Sequence, residues 1–215
     1  MAKGVVVSVN VGKPQPLPYK KKVVQSGIFK APQDGPVFLA KINFEGDEQA
    51  DIVHHGGEDK AVCVYIADHF PVWEKKFNRT FEPGAFGENI TLSGLTEADI
   101  HIGDVFQMGE AVVQVSQPRE PCYKIAARYE LDRFPADIIE TGYTGFYMRV
   151  LKEGFVQKND RFILLEKGEK QLSILYLNQI RYHDKTNYAA MAEILSVEAL
   201  AEAWRKPFRK LLYQQ

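Results

Sequence analysis

Short β-branched runs punctuated by Gly, Pro, Asn and Asp recur at 5–11, 37–42, 61–66, 88–92, 105–108, 111–115, 146–151 and 162–165. Runs of this length, separated by turn-forming residues, predict the strands of a closed or nearly closed β-barrel. Helical patterns interrupt them over 68–77, where Pro71 suits a first turn, from about 121 to 129, and around 132–140. The stretch 1–22 has one short apolar run and then Gly and Pro, so it reads as a strand followed by a loop rather than a signal peptide. After Lys167-Gly168-Glu169-Lys170 the period becomes helical. Leu172, Leu175, Tyr176 and Ile180 share one face, Tyr188, Met191, Ala192 and Leu195 a second, and Leu200, Trp204 and Phe208 a third. Asn187 and Ser196 read as N-caps of the second and third helices, and Pro207 as a kink or end of the last. The expected architecture is mainly β: a barrel domain with helical insertions over 1–166 and a small C-terminal three-helix domain over 167–215.

Composition narrows the class of function. The 215 residues are 45% hydrophobic and 26% charged, as in an ordinary folded soluble chain. Lys+Arg 27 against Asp+Glu 28 leaves a formal charge of −1, so no general basic field exists for nucleic acid. Three short helices also suit a DNA-binding unit, but from Gly168 onward seven Lys/Arg face five Asp/Glu, an excess of only two. No nucleic-acid partner is expected. Nothing approaches 18 consecutive apolar residues, and there are two cysteines without a CxxC pair, so the chain is expected to be cytoplasmic, with no membrane partner.

The densest chemistry is Ser116-Gln117-Pro118-Arg119-Glu120-Pro121-Cys122-Tyr123-Lys124, directly after a strand. Pro121 pre-sets a helix start and puts Cys122 in the first turn between two cations, an environment that favours a thiolate. Such a sulfur can be a nucleophile or a soft metal ligand. Cys63, inside an apolar run, reads instead as a strand core residue. A second polar loop, Asp51 to Lys60, holds His54-His55-Gly56-Gly57. At most one of two adjacent histidines faces a site, and Lys60 could reach a phosphate. Asp51 with a histidine and a cysteine could also be drawn as a nucleophilic triad. Further candidates to line a pocket are Ser26 and Lys30, and Asn89 and Thr91 beyond a Gly-rich turn that lacks a phosphate-loop lysine. Lys20-Lys21-Lys22 reads as a solvated loop run.

Ser26-Gly27-Ile28-Phe29-Lys30, His55-Gly56-Gly57-Glu58-Asp59-Lys60-Ala61, Pro83-Gly84-Ala85-Phe86-Gly87-Glu88-Asn89, Ile102-Gly103-Asp104 and the segment from Gln114 to Lys124, in this order, resemble the MOSC-domain proteins, specifically the YiiM-like branch. The resemblance covers essentially the whole chain, the tail included. It implies a β-barrel that binds molybdenum cofactor, with Cys122 as the protein ligand to the metal, and reduction of N-hydroxylated compounds such as 6-N-hydroxylaminopurine. It implies too that the electron donor is a separate reductase, for which this chain has no cysteine set of its own. For the cofactor's phosphate and pterin, the available groups are Lys30, Lys60, Arg119, Lys124 and Arg128, with Ser26, Asn89, Thr91 and Gln117. His55 and Asp51 are the candidate proton donors. The alternative is a carrier that holds the cofactor through Cys122 without turnover. The tail leaves open dimerisation, docking of the electron donor and covering of the site.

Overall fold

The computed structural model describes residues 3–51 and 56–213. In chain order its strands are β1 (Lys3–Val11), β2 (Gln15–Tyr19), β3 (Lys22–Ser26), β4 (Ala31–Pro32), β5 (Val37–Leu39), β6 (Val62–Ile66), β7 (Ile90–Ser93), β8 (Val105–Met108), β9 (Ala111–Pro118), β10 (Phe146–Lys152), β11 (Gly154–Val156) and β12 (Arg161–Glu166). Seven of them close a barrel in the order β12-β8-β9-β10-β6-β7-β1, with β1 pairing back to β12. Neighbours are antiparallel except β6 and β7, which run parallel and are joined by a crossover carrying α1 (Phe70–Phe77). Two more helices, α2 (Tyr123–Tyr129) and α3 (Phe134–Thr141), lie between β9 and β10.

Strand alternation sorts the apolar residues into two cores. Val62, Val64 and Ile66 of β6, Val113 and Val115 of β9, and Phe146, Met148 and Val150 of β10 pack into the larger one. Tyr65, alternate to that set on β6, joins Phe70, Trp73, Phe86, Ile125 and Phe134 in a second cluster between the barrel and the helices. β6 is therefore buried along its whole length and shows no polar alternation in its sequence. The outer layer satisfies its own polar atoms, Trp73 Nε1 donating to the Tyr65 hydroxyl at 2.7 Å.

The loop expected after β1 is instead the hairpin β2–β3, with Leu17 opposite Val24. In a two-stranded ribbon alternate residues turn their N–H away from the partner, so Pro16 and Pro18 break no ladder bond. A Pro-rich string thus concealed a strand.

Beyond the barrel come α4 (Ile174–Asn178), continued by a wider π-type turn at Gln179–His183, then α5 (Tyr188–Leu195) and α6 (Glu202–Tyr213). Their buried residues, including Leu172, Ile174, Leu177, Met191, Ile194, Trp204 and Phe208, form one cluster with the barrel interior. Ile174 and Leu177 are buried where Leu175 had been expected, and Leu175 and Tyr188 stay exposed. Asn187 caps α5, its Oδ1 accepting from Ala190 N at 3.1 Å. Ser196 does not start a helix. It closes α5, its hydroxyl donating to Glu193 O, and α6 begins six residues later. Pro207 lies inside α6 without ending it. It removes one i to i−4 bond, but Trp204 and Phe208 on either side are fully buried and anchor the helix across that gap. Among the described residues no helix is long and apolar enough to cross a membrane.

Candidate functional site

Cys63 and Tyr147 face each other across β6 and β10. Above them opens a cavity of about 640 Å³, a volume that includes open solvent at its mouth. Its walls come from the end of the hairpin (Ser26 to Lys30), from 47–50, from Phe86 to Asn89, from Lys60, and from Arg119 to Lys124. Two glycines permit this close assembly. A Cβ on Gly27 would lie 2.7 Å from Glu48 O, and Gly87 has φ of 75° with Ile28 against it.

Seven of the residues singled out in the sequence line this cavity: Ser26, Lys30, Lys60, Asn89, Arg119, Cys122 and Lys124. Cys122 is the N-cap of α2 rather than part of its first turn, with extended backbone and no capping bond from its side chain. The cations differ from one another. The Lys30 ammonium is paired with the buried Asp47 carboxylate, which also accepts from Gly12 N at 3.0 Å and from Asn89 Nδ2 at 2.9 Å. The Asn89 Oδ1 accepts from Cys63 N. Arg119 and Lys124, 6% and 8% exposed, make no ion pair among the described residues. Among the described residues Arg119 donates only to carbonyl groups, Phe86 O at 2.7 Å and Thr144 O at 3.5 Å. Burial pulls the Lys60 ammonium below the ordinary lysine range, opposed by the charges of Glu120, Asp59 and Asp51.

Three expected residues do not reach the cavity. The Thr91 hydroxyl donates to Glu88 Oε1 at 2.7 Å and accepts from Asn10 Nδ2, because Thr91 lies within β7 whereas Asn89 precedes it. Gln117 is buried in β9, its Nε2 donating to Pro118 O. Arg128 holds the backbone at Ile28 O and Gly84 O, at 2.7 and 2.8 Å, bracing the cavity wall from behind. Asp51 adjoins the cavity-lining Ala50 and acts electrostatically on Lys60. His55 lies outside the described residues, as does His54.

The structure adds groups that the sequence pattern did not reveal. Cys63, expected in the core, lines the cavity with Tyr147. Burial holds this thiol above its ordinary range, with the Arg119 charge opposing. Asp47 had no motif around it and is identifiable only by its partners. Glu88 supports the 83–88 turn from within, accepting from Gly84 N and Phe86 N at 2.7 and 2.9 Å.

The arrangement offers a thiol to a soft metal and two buried cations to an anion. Among the described residues no group of three or more His, Cys, Asp or Glu could hold a metal on side chains alone. A group that carries its own metal ligands, as a pterin dithiolene does, needs no such cluster. The Cys122 thiol and the unneutralised cations fit such a group.

Comparison with known proteins identifies the family. The family model for the MOSC domain matches residues 51–162, and that for the YiiM-like 3-alpha helix domain matches 172–215. The protein YflK of Bacillus subtilis (strain 168) is 52% identical over 205 residues, which cover 95% of this chain and 93% of YflK. A protein named reductase from Gibberella moniliformis (strain M3125 / FGSC 7600) is 34% identical over 87% of this chain, which spans only 32% of that protein. The crystal structure of YiiM from Geobacillus stearothermophilus superposes with a TM-score of 0.84 at 44% identity, over 97% of this chain and 99% of that one. With a closed barrel carrying the cysteine-bearing loop and a helical tail completing the core, the chain belongs to the MOSC-domain family, in its YiiM-like branch.

Proposed function

We propose that this chain is an oxidoreductase that holds molybdenum cofactor in the cavity and reduces N-hydroxylated compounds, such as 6-N-hydroxylaminopurine, with electrons from a separate reductase. The observation that carries the proposal is the convergence of Cys122 with two buried cations that have no carboxylate partner among the described residues. The family supports it, since MOSC domains are associated with this cofactor, and the name of the fungal relative points to the same class of reaction. When bound, the cofactor supplies two-electron oxygen-atom chemistry.

The chain's own residues bind, orient and shield. Cys122 presents its sulfur to the metal. Arg119 and Lys124, with Lys60 above the Tyr147 ring at 6.0 Å, take the phosphate. Lys30 and Asn89, held by Asp47, keep the floor in place rather than meeting the anion. The net reaction converts N–OH to N–H and water, consuming two electrons and two protons. Asp51, beside the cavity wall, is the proposed proton donor among the described residues, and His55 is the other.

The test is the molybdenum and pterin content of protein made in a host that synthesises the cofactor, beside Cys122→Ala prepared identically, followed by reduction of 6-N-hydroxylaminopurine with an artificial electron donor. The expected outcome is about one molybdenum per chain and turnover in the wild type, with both lost in the variant. Stoichiometric cofactor without turnover of N-hydroxylated bases or amidoximes would make the chain a carrier. Absence of molybdenum and pterin from the wild type would sink both readings.

A further inference from the structure

Three connections run from the helical tail to the walls of the cavity. Asn178 of α4 donates to the Thr144 hydroxyl at 2.8 Å, and the Thr144 carbonyl accepts from Arg119. Arg149 bridges the Asp59 carboxylate at 2.7 Å, Gln114 Oε1 at 2.9 Å and the tail carbonyl of Ala199 at 2.8 Å. Arg181, in the turn after α4, pairs with Glu120 at 2.8 Å. The last is the most informative, because Glu120 lines the cavity beside the uncompensated Arg119 and, of the carboxylates acting on Lys60, has the largest effect. Arg181 is itself firmly held. Its guanidinium lies 4.6 Å from the ring centroid of the fully buried Trp204 and 5.6 Å from that of Tyr182. Glu120 is half exposed.

We infer that Arg181 is a positioning residue: the tail uses it to engage the Glu120 carboxylate at the cavity wall, so that the positive charge of Lys60, Arg119 and Lys124 stays directed at an anionic ligand. Without Arg181, the Glu120 carboxylate turns to the nearest remaining cations and competes with that ligand. The tail thus sets the electrostatics of a site to which Arg181 contributes no lining atom. This role rests on the anion-binding part of the proposed function, and not on turnover.

A double-mutant cycle tests it. Inorganic phosphate is titrated calorimetrically into the wild type, Glu120→Gln, Arg181→Gln and the double variant, each first checked for a cooperative thermal transition. Arg181→Gln is expected to weaken phosphate binding roughly three- to tenfold, and adding Glu120→Gln to restore it to within about twofold of the wild type. Glu120→Gln alone, a change at a half-exposed side chain, is expected to bind as tightly as the wild type or more tightly. An Arg181→Gln protein that binds like the wild type, a double variant no better than Arg181→Gln, or weaker binding by Glu120→Gln alone would each overturn the inference. The second readout needs no ligand: nuclear magnetic resonance titration of Lys60 as its 13C-dimethyl derivative, assigned with Lys60→Arg. Arg181→Gln should move that titration to higher pH and the double variant should reverse the move; no move overturns the inference. If these shifts and the rescue hold while the wild type carries no molybdenum or pterin, the cofactor reading fails and the role of Arg181 stands.

Discussion

The cavity has two walls built from the same kinds of residue to opposite effect. On the floor, the Lys30 ammonium, the Asp47 carboxylate and the Asn89 amide are buried and satisfy one another, with Gly12 N closing the set. On the facing wall, Arg119 and Lys124 are comparably buried, yet no carboxylate among the described residues neutralises them. A saturated buried ion pair holds a fold in one arrangement, whereas an uncompensated buried cation costs stability until something negative arrives. The contrast separates buried charges that satisfy one another from those left open to a ligand, a distinction that residue type does not make.

The largest expected effect lies on the floor. Asp47→Ala leaves a buried ammonium and two N–H groups without an acceptor, and should cost about 3–5 kcal/mol in urea unfolding. Retention of wild-type stability would remove the distinction between the walls. Next is Glu88, whose carboxyl burial raises above the ordinary 4.5, against the opposing hydrogen bonds from Thr91, Gly84 and Phe86. A raised folded-state pKa makes its contribution fully present below the unfolded value and lost as pH rises through the folded one. Glu88→Gln should therefore flatten the stability profile above pH 4.5. It should also cost about 1–3 kcal/mol near neutrality, because the amide cannot accept both N–H groups.

On the open wall the sign reverses. Lys124→Met should leave stability unchanged or improved, since it removes a buried charge, yet weaken phosphate binding about tenfold, close to 1.4 kcal/mol. A large loss of stability would show that Lys124 belongs with the floor. The smallest effect concerns pH. Because burial lowers the Lys60 pKa from 10.5, phosphate affinity should begin to fall on the alkaline side before an ordinary lysine titrates. Lys60→Arg should carry binding to higher pH, and identical profiles for the two proteins would remove Lys60 from the anion site.

The barrel strands could be read almost directly, because β-branched runs between turn residues have few other uses. The interval 105–108 coincides with β8, and β9, β10 and β12 differ from expectation only at their ends. The hairpin at 15–26 was hidden, since Pro-rich strands are tolerated only where the ribbon turns their missing N–H outward, and that depends on pairing. In the tail, helical period alone admitted more than one buried face. Packing against the barrel chose Ile174 and Leu177 over Leu175. Cys122 stood out by its local setting of Pro121, Arg119 and Lys124, all within five positions of one another. Asp47 and Cys63 did not, because one lacks distinctive neighbours and the other sits in a strand apolar on both faces.

Short-range pattern thus dictated most of the barrel strands, the type of fold, and the cysteine and cations on which a family resemblance could rest. The pairing of those cations was settled only by tertiary contacts. Lys30 meets Asp47 across 17 positions, and Glu120 meets Arg181 across 61. Charge pairing depends on distance in space and on the exclusion of water around the pair, and both are set when distant segments pack together. The same amino-acid types therefore became floor, wall and positioning residue according to which neighbours the closed barrel and its tail brought beside them.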